Sequence, residues 1–461
     1  MDLLSGSEYE FQKLMTRITR TRVVVDNEVN PSETIIKVDS ARKHGILIDA
    51  VQILSELNLS IKKAYISSDG RWFMDGMRLC DVFSVVFLPA CLVNYTVYHV
   101  TDQNGDKITD ERVISYIEQS LEEIECYRVD ELEGITALEL TGADRVGLLS
   151  EVFAVLKDLR CNVVEAKVWT HNGRIASRIH LTDSEMDSPI EDPRRIANIE
   201  VCLRTILNVD NDLGSPTTSV SISTLHIERR LHQMMFADRD YDLIRSDSHE
   251  SPECPTVTVQ NWAERGYSVV GVQCKDRTRL LFDVVCALTD MEYVVHHATV
   301  DTMGDEACME FCTRHVDGGP ISSEAERQRV ISCLQAAVMR RCTRGVRLEL
   351  CANDRGSLLA DVTRTFRENG LNVTRAEIAT TNKTAHDVFY VTDARGNEVD
   401  AKMIETVRDQ IGVKYLQVKE LPPLTYHREE EAVSVAGALL LSLGSLVRRN
   451  LYHFGFIRSF S

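Results

Sequence analysis

ADRVGLL, residues 143–149, returns as KDRTRLL at 275–281 and as NDRGSLL at 353–359. One such heptad carries no information, but three in one chain indicate a repeated structural unit. The second Leu of each heptad serves as a ruler. Leu149 to Ala166, Leu281 to Ala298 and Leu359 to Ala376 are equal intervals. Leu47 to Ala64, within HGILIDAVQILSELNLSIKKA, has the same length and reveals a fourth copy near the N-terminus. Equal spacing means that the intervening segment is one unit without insertions.

That segment reads as a helix followed by a strand. Leu148, Leu149, Val152, Val155, Leu156 and Leu159 recur at helical spacing, and Leu281, Val284, Val285 and Leu288 repeat the pattern. Val163, Glu165, Ala166 and Val168 then suit a strand, and Asn369-Gly370 suits a helix C-terminus. TIIKVD, TALELTG, SVVGVQC and VRLELCA precede the four helices as alternating strands. Asp69-Gly70, Asn172-Gly173 and Asn382-Lys383 mark hairpin turns. Further strands end at Thr182-Asp183 and Thr392-Asp393. Helices are expected near 193–207, 324–340 and 400–411, and a last strand is clearest at 415–421. The order is β-α-β-β-α-β, a ferredoxin-like unit. The fold class is therefore α+β, with tandem units whose antiparallel sheets carry helices on one face and leave their edges available for side-by-side pairing.

The expected modules are 34–120, 135–210, 268–340 and 345–422, with a linker at 211–267 containing a helical segment and a tail at 423–461. In the first module the interval from Ala64 to Asp102 is much longer than Ala166 to Asp183 and Ala376 to Asp393, which equal each other. The excess equals the length of GMRLCDVFSVVFLPACLVNYT, 76–96. An apolar insert within the third strand reads as a non-standard splice form or gene model.

The 461 residues suit two to four domains. A net charge of −18 argues against a general nucleic-acid binder, which needs a basic footprint. Thirteen cysteines without a CxxC pair suggest reduced thiols and a cytoplasmic or nuclear location. Cys308 and Cys312 share a strand face, and no further metal ligands accompany them. His296-His297 on a strand should point to opposite faces and cannot chelate one metal. The apolar run 432–447 is just short of a membrane span; it reads as a tail packed on the protein, with membrane contact as the alternative. No nucleophile elbow, phosphate loop, HExxH or dinucleotide fingerprint is present. Neither catalysis nor a cofactor is implied.

DRxGLL at the helix start followed by NV-x-x-A in the next strand resembles the ACT domain, a small-molecule-binding module first seen in aspartate kinase, chorismate mutase and prephenate dehydrogenase. Four tandem copies without a catalytic domain resemble the plant ACR (ACT domain repeat) proteins, as do ERRLHQMMFADRDYD (228–242) and LGSLVRRNLYHFGFIRSFS (443–461). The resemblance implies modules paired into larger sheets, with amino acids bound at the seam by the loop between first strand and first helix. It also implies a non-catalytic amino-acid sensor acting on a partner enzyme or signalling protein, with homo-oligomers available through sheet pairing.

The loop chemistry fits an α-amino acid. A helix N-terminus offers N–H groups to the carboxylate, and an acidic side chain can hold the ammonium. Asp144, Asp276 and Asp354 occupy that place, with Leu148 beginning the second module's helix. Gly147 and Gly45 allow close backbone approach. The third copy has Arg279 at the Gly place, the fourth has Ser357 with Gly356 before it, and the first has Arg42 in place of Asp. The second loop is thus the foremost candidate and the fourth the next. An Asp before a helix also serves as an N-cap without any ligand, and both readings stay open. A constitutive scaffold with vestigial loops is the rival function.

Overall fold

A computed structural model describes residues 21–41, 46–68, 93–122, 136–207, 217–221, 226–243, 254–342 and 345–419. Arg42 and Gly45 of the first loop, Asp69-Gly70, most of the 76–96 insert, linker residues 211–216, 222–225 and 244–253 and the tail 423–461 lie outside the described residues.

The chain divides into two compact units. One contains the first and third modules, the other the second and fourth. Each is built on an eight-stranded antiparallel sheet.

In the second unit the second module runs β5 (Thr136–Ala143), α3 (Leu148–Asp158), β6 (Cys161–His171), β7 (Arg174–Asp183), α4 (Pro193–Leu207) and β8 (Thr217–Ser221). The fourth runs β13 (Val346–Asn353), α8 (Leu358–Glu368), β14 (Leu371–Thr381), β15 (Thr384–Asp393), α9 (Ala401–Ile411) and β16 (Leu416–Lys419). The sheet order is β16-β13-β15-β14-β6-β7-β5-β8. β14 and β6 join the two modules antiparallel, with Ala376 opposite Val168 and Ile378 opposite Ala166. This reciprocal register is that of a two-fold interface. The alanines of the NV-x-x-A motif lie fully buried at the join. Leu148, Leu149, Val152 and Leu156 of α3 share one core with Leu358, Val362 and Phe366 of α8. Each such buried side chain contributes about 1.5–3 kcal/mol.

In the first unit the elements are β1 (Arg22–Asp26), β2 (Thr34–Ala41), α1 (Ile46–Glu56), β3 (Ser60–Ser67), β4 (Val93–Thr101) and α2 (Glu111–Glu122), then β9 (Thr256–Trp262), β10 (Tyr267–Lys275), α6 (Leu280–Asp290), β11 (Tyr293–Met303), β12 (Glu306–His315) and the start of α7 (Glu324–Met339), whose residues from Ser332 onward are assigned to the second unit. The order is β1-β2-β4-β3-β11-β12-β10-β9. Here the edge strand precedes the module instead of closing it. β1 and β9 take the place that β8 and β16 fill in the other unit. An edge strand needs only one antiparallel neighbour, so a hairpin from the N-terminal side serves as well as a crossover from the C-terminal side. Residues 256–262 are therefore sheet, not linker.

The register locates the extra length of the first module. Ala166, Ala298 and Ala376 face Ile179, Phe311 and Phe389, all at one common separation along the chain, whereas Ala64 faces Tyr98, much further on. The excess again equals the length of the 76–96 stretch, as the motif spacing indicates. Residues 93–96 nevertheless belong to β4 and pair with β2, so the insertion does not interrupt the strand there.

All four second strands carry a register shift at one equivalent place, around Lys62, Val164, His296 and Thr374. A bulge adds a residue and resets the alternation, which is why Val163 and Ala166 both read as inward. It also alters the expectation for His296 and His297. Both rings pack near Tyr267, with centroids 5.3 and 5.7 Å away, instead of diverging across the sheet. Their Nδ1 atoms lie 3.3 Å from the hydroxyls of Ser68 and Ser67 respectively.

The helical part of the expected linker is a packed element. α5 (Ile227–Ala237) lies on the sheet face away from the other helices, with Ile227, Leu231, Met234 and Met235 against Trp169 and Ala176. Glu228 takes bonds from Lys167 and Arg341, each at 2.6 Å. Asp240 accepts two from Arg340, at 2.7 and 2.8 Å.

Candidate functional site at the module seams

The repeated Asp-Arg has a structural basis in the loop geometry. The backbone N–H of Asp144, Asp276 and Asp354 donates to the hairpin turn of its own module, at Gly173, Asp305 and Lys383, over 2.7–2.8 Å. The following Arg pairs with an acid on the helix six residues later. Arg145 holds Glu151, Arg277 holds Asp283 at 2.7 Å and Arg355 holds Asp361 at 3.2 Å. These acids are a sequence signal available in every copy, since Asp49 also fits the spacing. The Leu after the loop donates its N–H back to the Arg carbonyl. Leu148 is therefore a core residue with its backbone N–H already engaged.

None of the three Asp residues caps its helix. Gly147, Arg279 and Ser357 occupy the N-cap positions of α3, α6 and α8, and none makes a side-chain capping bond. Gly147 and Arg279 are left-handed, with φ of 82° and 66°, whereas Ser357 is not. A left-handed backbone favours Gly because a Cβ crowds the adjacent carbonyl, so Arg279 carries strain that Gly147 avoids.

The carboxylates instead face the seam. Burial pushes Asp144 up to about 6, opposed by a hydrogen bond from the Asn372 side chain of the fourth module and by the Arg145 backbone amide. Asn372 is the Asn of the NV-x-x-A motif, and Asn162 is its equivalent in the second module. Gly356 approaches Asn162: a Cβ there would lie 3.8 Å from Oδ1. The two loops of this unit thus each meet the partner module's Asn. They differ in cover. A Cβ on Gly147 would lie 2.5 Å from Cδ of Arg367, which rests over the second loop. Burial also raises Asp354, and the neighbouring Asp187 raises it further.

The third loop is closed by one cation from its neighbour and one of its own. Lys62, at the bulge of β3, places Nζ 3.6 Å from Asp276 Oδ2. Burial raises Asp276 and Lys62 counters it. Arg279 reaches Asn58 Oδ1 of the first module at 3.1 Å. The cavity beneath this loop, lined by Leu59, Ile61, Val300 and Met309, is about 20 Å³. That is room for about one water. The positions matching Asn162 and Asn372 are Ser60 and Val294 in this unit. A larger groove of about 580 Å³ runs along α5 in the second unit, away from the loops, with Arg174, Arg230, Glu139 and Asp238 on its walls. Among the described residues no group of three His, Cys, Asp or Glu is placed to hold a metal, and no helix is long and apolar enough to cross a membrane.

Paired ferredoxin-like modules with acid-bearing loops at their seams define an ACT-domain protein. The ACT domain model matches residues 136–194, and the model for the ACR family N-terminal ACT domain matches 29–85 and 92–128, breaking inside the insert. The chain is 58% identical over 462 residues to ACT domain-containing protein ACR8 of Arabidopsis thaliana, covering 99% of this chain and all of that one. It is 45% identical over 472 residues to ACR4 of the same plant, covering both chains fully. It therefore belongs to the ACR family of ACT domain-containing proteins. A shorter likeness, 26% over 207 residues, links 44% of this chain to 20% of a bifunctional uridylyltransferase/uridylyl-removing enzyme of Bradyrhizobium diazoefficiens.

Proposed function

We propose that this chain is a non-enzymatic regulatory protein that binds a free amino acid at the seam between its second and fourth modules. Binding there shifts the population of module arrangements and so alters contact with a partner enzyme or signalling protein in the cytoplasm or nucleus. The observation that carries this reading is the pair of desolvated loop carboxylates, Asp144 and Asp354, facing a seam that also holds Asn372 and Asn162. A carboxylate raised by burial gains most from a ligand ammonium, and an amide can serve the ligand's carboxylate.

Calorimetric titration of the chain against each of the twenty amino acids tests it. A saturable heat for one of them, reduced by Asp144→Ala or Asp354→Ala in a folded protein, is the expected result. No heat at millimolar concentration would favour a constitutive scaffold. That second reading draws on the first unit, where Lys62 and Arg279 fill the seam with the chain's own cations.

A further inference from the structure

One position recurs beneath every loop. Thr96, Ser177, Met309 and Asp387 stand opposite Val38, Leu140, Val272 and Leu350, the first-strand residues four before Arg42, Asp144, Asp276 and Asp354. Cross-strand partners point to one face, so all four face the helices. Their exposures are 7%, 2%, 3% and 1%. In the third module this residue, Met309, lines the cavity under the loop together with Leu59 and Ile61 of the neighbouring module. In the third module the position is therefore the floor of that cavity, and Asp387 is its equivalent in the fourth.

In the fourth module the floor is a carboxylic acid. Neither oxygen of Asp387 has a hydrogen-bond partner among the described residues. The Ala379 amide comes near but falls outside hydrogen-bond geometry. The sheet yields at this point. Between β14 and β15 the ladder passes from Glu377–Val388 to Thr380–Ala385, leaving Asp387 and His386 unmatched. The equivalent pairs Val168–Ser177 and Val300–Met309 are intact. Burial raises Asp387 to about 7, and the charge on Asp354 adds to the shift. A buried acid without a donor is costly. Beside a second carboxylate, the chemistry that relieves it is a cation.

We propose that the fourth-module loop is selective for basic amino acids: Asp354 holds the α-ammonium, and Asp387, buried beneath the loop at the position of Met309, receives the cation of the ligand's side chain. This rests on the seam-binding reading above and names its ligand class. The second module, with Ser177 at its floor, lacks the charge that sets this preference.

The test is calorimetry on the full chain at pH 8 with L-lysine and L-norleucine, which share a carbon skeleton and differ in the terminal ammonium. Lysine is expected to bind about tenfold tighter or more. Asp387→Asn and Asp387→Ser, checked for fold by circular dichroism, should bring the two ligands within about twofold of each other without weakening norleucine. Lysine affinity in the unaltered chain should also fall between pH 8 and pH 5.5 as Asp387 takes up a proton. Equal binding of the two ligands, or lysine binding unchanged in Asp387→Asn, overturns the assignment while leaving the seam reading intact. Failure of all twenty amino acids to bind removes both.

Discussion

The two units are built alike and finished differently. In the second, each loop Asp meets a desolvated seam bearing the partner module's Asn, at 372 for Asp144 and 162 beside Gly356. In the first, Lys62 lies on Asp276 and Arg279 bonds Asn58, above a space the size of a water. The same sheet pairing thus yields one seam that we propose receives an incoming ammonium and one already supplied with its own cations. A protein with four copies of a binding fold need not have four sites.

The largest expected effect tests whether α5 anchors the second unit. Glu228 is 1% exposed between Lys167 and Arg341. Glu228→Ala leaves both cations without their shared anion and should cost about 3–5 kcal/mol in denaturant unfolding. A loss below about 1 kcal/mol would show that α5 contributes little to that unit.

The next effect concerns Asp387. Its folded pKa of about 7 lies above the ordinary carboxylate value. Its favourable neutral form therefore holds at acid pH, and stability is lost as pH rises from about 4 through 7. Asp387→Asn should be near neutral at pH 4 and stabilising by about 1–3 kcal/mol at pH 8, measured by unfolding at both values. An equal effect at both would mean that Asp387 does not titrate in this range.

Smaller effects sharpen the loop comparison. Gly147→Ala places a Cβ at φ 82° and close to Arg367; thermal unfolding should report a loss of about 1–2 kcal/mol. Lys62→Met removes a partly exposed cation from Asp276. Its cost should stay below about 1 kcal/mol, and chemical-shift titration should show the Asp276 carboxyl raised further.

Much of this was legible in the sequence because the repeat corrects itself. Four equal spacings define the helix and second strand, and even the bulge shows as a slip in the alternation at Val163 to Ala166. The excess length of the first module is the same whether counted from motifs or from the strand register. The edge strands of the first three modules were missed because RVVVD, TTSVS and TVTVQNW carry no motif of their own. The pairing of alternate modules was not readable either, since each copy offers a similar edge. Without it, Asn162 and Asn372 are merely part of a strand motif, and Lys62 is one lysine of two. Asp387, in HDVFYV, shares a strand face with Phe389 and Val391; only the fold shows it under the loop.

The most direct measurement is hydrogen–deuterium exchange of the full chain with and without a saturating mixture of the twenty amino acids. The account predicts slower exchange in the loops at 144–148 and 354–358 and in β6 and β14, with 276–280 and β3 unchanged. Protection at 276–280 and β3, or no protection at either seam, would contradict it.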